Sequence, residues 1–279
     1  MAMSKRIAYL GPAGTFTEQA ALIYDAHAKL APFASIPAVA AAVESGMAEE
    51  GVVPIENSLE GSVTDTLDLL IHESRLSISR ELVLPISHCL LVRPGTQTEE
   101  VQAIFSHPQA LGQCRHFIER CFPKAQLVAA LSTAAAVEEM KASKMPTAAI
   151  APERAARLYS VDILARGVQD NPSNATRFVV LAKKDHPPTG DDKTSLCFAF
   201  NEDKPGLLNS VLGAFAKRNI NLAKIESRPA KESPWRYIFL ADLEGHREDP
   251  KVKEALAEVR SLTSLLKLFG SYPRFTERS

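Results

Sequence analysis

Asp170-Asn-Pro-Ser-Asn-Ala-Thr-Arg-Phe-Val-Val-Leu181 passes from turn formers into an apolar, β-prone run. Asp170, Asn171, Pro172, Ser173 and Asn174 favour a loop, because short polar side chains bond their own backbone and proline fixes φ. Phe178 to Leu181 has the composition of a buried strand. Thr176 and Arg177 stand at the junction, where a scaffold strand holds polar groups at the mouth of a cleft. A capped turn with a surface arginine explains any one of these residues taken singly. The remainder of the chain decides between the two.

Upstream, strand, short loop and helix alternate. Ile7–Leu10 reads as a strand that ends at Gly11-Pro12-Ala13-Gly14, with Thr15 heading a helix and Glu18 at capping-box spacing. Val39–Met47 reads as a helix and Gly51–Ile55 as a strand, followed by Glu56-Asn57-Ser58 and by Ser62 as cap of a helix over Asp65–Ile71. Leu82–Val92, with Pro85 inside it, is strand-like, and Ile104-Phe105 ends another strand. Ser106-His107-Pro108 repeats the capping pattern. Gln113 follows Ser106 by two helical turns, which puts both on one face, as a solvent-facing stripe also would. Leu127–Leu131 and Thr147–Ile150 are strands; Ser132-Thr133 caps a helix over Ala134–Met140, and Pro152 starts another through Tyr159. This alternation is the signature of α/β layers with parallel strands, whose ligands bind beyond the strands' carboxyl ends. Every polar cluster named here lies at that end.

Downstream, Lys183–Lys193 is composed like a linker, with Pro187-Pro188 and Gly190. Then comes a compact βαββαβ pattern: strand Thr194–Phe200, a turn at Asp203-Lys204-Pro205-Gly206, helix Leu207–Arg218, strands Leu222–Ser227 and Trp235–Leu243, helix Val252–Ser261 and strand Leu265–Phe269. This is a ferredoxin-like unit. Residues 5–182 and 194–272 are the two expected domains.

At 279 residues with formal net charge −1, the chain has length for about two domains and no electrostatic footprint for nucleic acid or anionic lipid. No stretch approaches a membrane span. Cys89, Cys114, Cys121 and Cys197 form no CxxC pair and are expected to be buried and reduced; the seven histidines show no metal spacing. Neither metal nor cofactor is expected, and the glycines match no nucleotide-binding loop. A cytosolic location is expected.

Gly11–Glu18, Pro54–Ser58, Ser106–Cys114 and Asn174–Phe178 together resemble the motifs of prephenate dehydratase, and Gly206-Leu-Leu-Asn209 with Glu226-Ser-Arg-Pro229 resembles its ACT regulatory domain. No helical segment long enough for a chorismate mutase precedes Ile7, so the resemblance is to the monofunctional form. Leu207 stands where alanine is more usual, a change between apolar residues. The resemblance implies a two-lobed, periplasmic-binding-protein-like α/β catalytic domain with its site between the lobes, and a C-terminal ACT domain that binds L-phenylalanine. It also implies Thr176 as the catalytic residue and Asn57, Ser106 and Gln113 as further active-site positions; Thr15, Glu56, Ser58, Thr133, Arg177 and Phe178 complete the expected substrate-binding set. The effector set is Gly206, Leu207, Leu208, Asn209, Glu226, Ser227 and Arg228, shared between two copies in a homo-oligomer, with a tetramer implied.

Such a site must expel hydroxide from a tertiary ring carbon as carbon dioxide leaves, so the departing oxygen needs a proton or strong hydrogen-bond donors. Thr176 suits a positioned donor or a relay, and Glu56 suits the ultimate acid if burial raises its pKa. Successive strand residues point to opposite faces. Arg177 therefore reaches the substrate only if the strand end is irregular; otherwise it braces the fold. An arogenate dehydratase and a non-catalytic amino-acid sensor are the competing readings. All the candidate cleft residues precede Pro187, so a cut within Pro187–Asp191 is expected to leave a complete catalytic region.

Overall fold

The computed structural model describes residues 4–202, 204–231 and 236–276. Trp235 and Asp203, expected in a strand and a turn of the C-terminal unit, lie outside them. The first lobe contains β1 (Arg6–Leu10), α1 (Phe16–Tyr24), β2 (Lys29–Phe33), α2 (Ile36–Glu44), β3 (Glu50–Asn57), β4 (Gly61–Ser62), α3 (Thr64–Asp68) and β5 (Ser77–Pro85). The second contains β6 (Cys89–Val92), β7 (Ala103–Ser106), α4 (Pro108–Gln113), α5 (Arg115–Cys121), β8 (Gln126–Ala129), α6 (Thr133–Ala142), β9 (Thr147–Ala151), α7 (Glu153–Tyr159) and β10 (Asp162–Arg166). The chain then returns to the first sheet as β11 (Ala175–Ala182).

The first sheet has the order β2-β1-β3-β11-β5 and the second β10-β6-β9-β7-β8. The bilobal α/β expectation holds, but all-parallel strands do not. β11 runs antiparallel to both β3 and β5, because it re-enters the first sheet from the second lobe. The apolar run read as one strand over Leu82–Val92 is two strands in different sheets, so Ile86–His88 is a crossing between lobes. The second crossing is the polar stretch 167–174. The expected Ser62 cap is also absent: Val63 precedes α3 without a side-chain cap, and Ser62 Oγ donates to Glu226 instead.

The C-terminal unit comprises β12 (Asp192–Ala199), α8 (Leu207–Ala216), β13 (Leu222–Pro229), β14 (Tyr237–Glu244), α9 (Pro250–Leu262) and β15 (Leu265–Pro273), with sheet order β13-β14-β12-β15. Its strands alternate between two environments, as a two-sided sheet requires. Phe198, Val211, Phe215, Leu243 and Val259 form a core beneath the helices. Ile238, Leu240, Phe269 and Tyr272 pack on the other face, in one cluster with Leu70, Ile78 and Val179 of the first lobe. Gly270 (φ +146°) permits the close approach, since a Cβ there would collide with the Ile78 carbonyl. The two units thus share a core, and a cut within 187–191 would uncover apolar surface on both sides. That corrects the expectation that the catalytic region is complete without its neighbour.

Among the described residues no helix is long and apolar enough to cross a membrane. Cys89, Cys114 and Cys197 are buried, with burial pushing the Cys114 thiol up to about 12. Cys121 is exposed, contrary to expectation.

Candidate active site

A cavity of about 550 Å³ opens between the lobes, lined from the first by Thr15, Phe16, Asn57, Thr176 and Phe178 and from the second by His107, Gln113 and Thr133. Its geometry follows from strand register. Asn57 on β3 lies opposite Thr176 on β11, so the two side chains share a face. Asn57 Nδ2 donates to Thr176 Oγ1 at 3.0 Å, to Asn174 Oδ1 at 2.8 Å and to the Ala175 carbonyl at 3.2 Å. The Asn57 carboxamide is itself held, because its Oδ1 accepts the Leu59 and Glu60 amides at 3.0 and 3.2 Å. Thr176 Oγ1 is therefore an acceptor toward Asn57. Its hydroxyl proton has no acceptor among the described residues and remains available to a ligand.

The network continues across the cleft. Asn174 Nδ2 donates to Gln113 Oε1 at 3.0 Å, and Gln113 Nε2 donates to Glu60 at 3.2 Å. His88 Nε2 lies 3.1 Å from the same Gln113 oxygen, which assigns the imidazole proton to Nε2 in the neutral form. Burial lowers the His88 pKa against the opposing effect of the Gln113 bond, which keeps the ring neutral. Phe16 meets that ring edge-on at 5.4 Å. His88 and Asn174 belong to this site although neither was among the residues expected there. Their signal in the sequence was position: each ends a crossing between lobes, and those crossings read as strand interior and as turn.

No lysine or arginine lines the cavity among the described residues. Positive potential comes from helix N-termini. Thr15 caps α1, accepting the Glu18 amide at 3.3 Å, and Ser132 caps α6, accepting the Ala135 amide at 3.0 Å. Phe16, Thr17 and Thr133, in the first turns of these helices, line the cavity from opposite lobes. Unpaired N–H groups and the helix dipole suit a dianion here. Outside the cavity Glu18 and Arg154 clasp the lobes at 2.5 Å. Burial alone would raise the Glu18 carboxyl, but Arg154 and the Gly14 amide outweigh it and hold it below the usual range.

Several expected residues lie elsewhere. Ser106 is fully buried, with Oγ donating to the Ile150 carbonyl at 2.6 Å. His107 rather than Ser106 caps α4, accepting the Gln109 amide. Ser106 and Gln113 therefore do not share a face. Ser58 Oγ accepts the Ala175 amide at 3.0 Å and braces the loop. Glu56 and Arg177 form the next register pair and point away from the cavity, joined at 3.1 Å. The irregularity is an extra residue, Ile55, in β3, while β11 alternates regularly here and keeps the Arg177 side chain on the face away from the cleft. Glu56 cannot be the acid, and Arg177 braces the fold.

In the C-terminal unit Gly206 (φ +89°), Leu207 and Leu208 border a separate cavity of about 530 Å³ with Phe200, Arg236 and Phe239. Asn209 is exposed on α8. Glu226 and Arg228 face the first lobe instead, Arg228 reaching Asp68 at 2.9 Å. Ser227 alternates to the opposite, exposed side. Glu226 and Arg228 therefore face away from the cavity that Gly206–Leu208 border, whereas Ser227 pairs with its lining residue Phe239.

Residues 7–186 match the prephenate dehydratase family and residues 195–261 the ACT domain. The bifunctional chorismate mutase/prephenate dehydratase of Aquifex aeolicus is 45% identical over 270 residues, covering 96% of this chain and 74% of that protein. Arogenate dehydratase 4 of Arabidopsis thaliana is 42% identical over 288 residues, 97% of this chain and 68% of that one. The solved prephenate dehydratase of Arthrobacter aurescens in complex with L-Phe superimposes with TM-score 0.89 at 35% identity, covering 96% and 90% of the two chains. With its bilobal cleft and C-terminal ACT domain, the chain belongs to the prephenate dehydratase family of carbon–oxygen lyases.

Proposed function

We propose that the chain converts prephenate to phenylpyruvate, carbon dioxide and water, with residues 5–182 as catalytic unit and 194–272 as an allosteric unit for L-phenylalanine. The observation that carries this reading is the Asn57–Thr176 pair, which presents an unclaimed hydroxyl proton to a cavity lined, among the described residues, by no lysine or arginine. The electron pair of the breaking ring–carboxylate bond moves into the ring as the C4 oxygen departs. Thr176 donates a hydrogen bond to that oxygen as its charge develops, so the interaction strengthens in the transition state, and the released hydroxide takes a proton from solvent to give water. The N-termini of α1 and α6 hold carboxylates, and Phe16 and Phe178 supply apolar walls for the ring. Holding the departing carboxylate through a helix end rather than an arginine stabilises the ground state less.

Thr176→Ala should lower kcat by about 10²–10³-fold, the cost of removing one donor to a developing oxyanion. Steady-state rates at equal folded fraction test this, and near-normal turnover removes the assignment.

A second reading, arogenate as substrate, is favoured by Asp65, the one carboxylate among the described residues lining the cavity, which suits an ammonium group better than a keto oxygen. Offering both substrates and measuring phenylpyruvate and phenylalanine separately decides between them. By family resemblance the effector site is shared between copies in a homo-oligomer, a tetramer, and the location is cytosolic. Analytical ultracentrifugation tests the assembly.

A further inference from the structure

The cleft hydroxyl and a buried ionic cluster sit back to back on the same two strands. β3 and β11 place Asn57 and Thr176 toward the cavity, and Glu56 and Arg177 toward the C-terminal sheet. Arg177 Nη1 lies 2.6 Å from Asp242 Oδ2 and 3.3 Å from Glu81 Oε2, and Nη2 lies 3.1 Å from Glu56 Oε2. Asp242 belongs to β14, so this arginine of the catalytic unit takes its shortest ion pair from the ACT domain. Two lysines of the C-terminal sheet, on β13 and β12, complete the cluster: Lys224 meets Glu56 at 2.9 Å and Lys193 meets Glu81 at 2.8 Å. Ser195 fixes Asp242 from behind, donating to its Oδ1 at 2.5 Å. Burial would raise the Asp242 carboxyl, but the Arg177 guanidinium outweighs it, so the pair stays ionised. Buried ions with their partners withdrawn find no water to replace them, so such a set moves together or breaks.

Resting on the reading of the cleft and effector given above, we propose that Arg177 is a positioning residue for the Thr176 hydroxyl. Asp242 sets its place, so that phenylalanine bound to the ACT domain acts on the cleft through this ion pair. The chain supplies the lever. Arg177 adjoins Thr176, and Glu56 adjoins Asn57. A displacement of β14 that draws Arg177 and Glu56 along changes the 3.0 Å separation of Asn57 and Thr176. The register shift beside Arg177 leaves Ile55 as an extra residue in β3, so the Glu56–Asn57 end of β3 can shift relative to β11 while Ala175–Val180 stay paired with β5. Coupling of this kind needs one element whose position both sites bias, and β11 is that element.

The test compares the full chain with Asp242→Asn and Ser195→Ala, measuring kcat and KM with and without phenylalanine, and phenylalanine affinity by calorimetry. Asp242→Asn should bind phenylalanine yet lose most of its inhibition, a change of about 5- to 150-fold if the coupling is of ordinary size. Its kcat should fall while KM stays close to wild type, since Thr176 acts in the transition state. Ser195→Ala keeps the Arg177–Asp242 pair and should remain inhibited. Should Asp242→Asn fail to fold, Arg177→Lys, which cannot hold three acids at once, should show the same desensitisation. A folded variant of either kind that binds phenylalanine and is inhibited like wild type overturns the proposal. A wild-type chain that turns over neither substrate, or ignores phenylalanine, overturns the functional reading instead.

Discussion

The two faces of the β3–β11 pair differ in kind although they alternate residue by residue. On the cleft side Asn57, Asn174, Thr176 and Gln113 form a neutral hydrogen-bonded chain. On the other side Glu56, Glu81, Arg177 and Asp242 form an ionic one. Neutral donors can aim at charge that appears only in the transition state, because they bring no fixed charge that binds the ground state equally well. Fixed charges do the opposite: they resist displacement and suit a junction between domains. One strand end therefore separates chemistry from docking by the alternation of side chains alone.

Asn57→Ala should sharpen that contrast most. It removes the donor that orients Thr176 and releases Asn174, so kcat should fall about 10- to 100-fold, as for other losses of positioning. The same measurement on Glu56→Gln, one residue away on the other face, should give a smaller loss. Equal losses would break the distinction between faces. Ser106→Ala should leave kcat and KM near normal, because that hydroxyl is buried against Ile150 rather than in the cavity. It should still cost about 1–3 kcal/mol in denaturant unfolding, through the carbonyl left without a donor. A large kinetic defect without a stability defect would return Ser106 to the cleft.

The smallest effect concerns pH. Burial lowers the His88 pKa in the folded state, so the unfolded chain binds more protons as pH falls below about 6.5. Stability from this residue is complete above its unfolded pKa and declines as pH drops through that value toward the lower folded pKa. Melting temperature should fall between pH of about 7.5 and about 5.5, and fall less in His88→Gln. An unchanged slope in the variant would place the proton uptake elsewhere.

How much of this was legible beforehand varies by residue. Thr176, Asn57, Gln113, Thr15 and Phe178 lie in the motifs that carry the resemblance, Thr133 was named from its place at a helix start, and all six line the cavity. The doubt over Arg177 came from strand alternation, a local rule, and alternation decided against its reaching the cleft. Ser106 misled because a serine before proline resembles a helix cap, whereas the cap fell one residue later, on His107. His88 was hidden inside an apolar run that reads as one strand; only the separation into two sheets showed a polar residue at a lobe crossing.

The sequence by itself determined the elements, their two-unit grouping and the family, because turn chemistry, periodicity and motif order are local properties of the chain. Tertiary structure alone decided which polar groups meet. The bonds from Asn57 to Thr176, Asn174 to Gln113 and Asp242 to Arg177 join residues 119, 61 and 65 positions apart. Their pairing depends on strand register and on how two units share a core, and neither is fixed by any short stretch of chain.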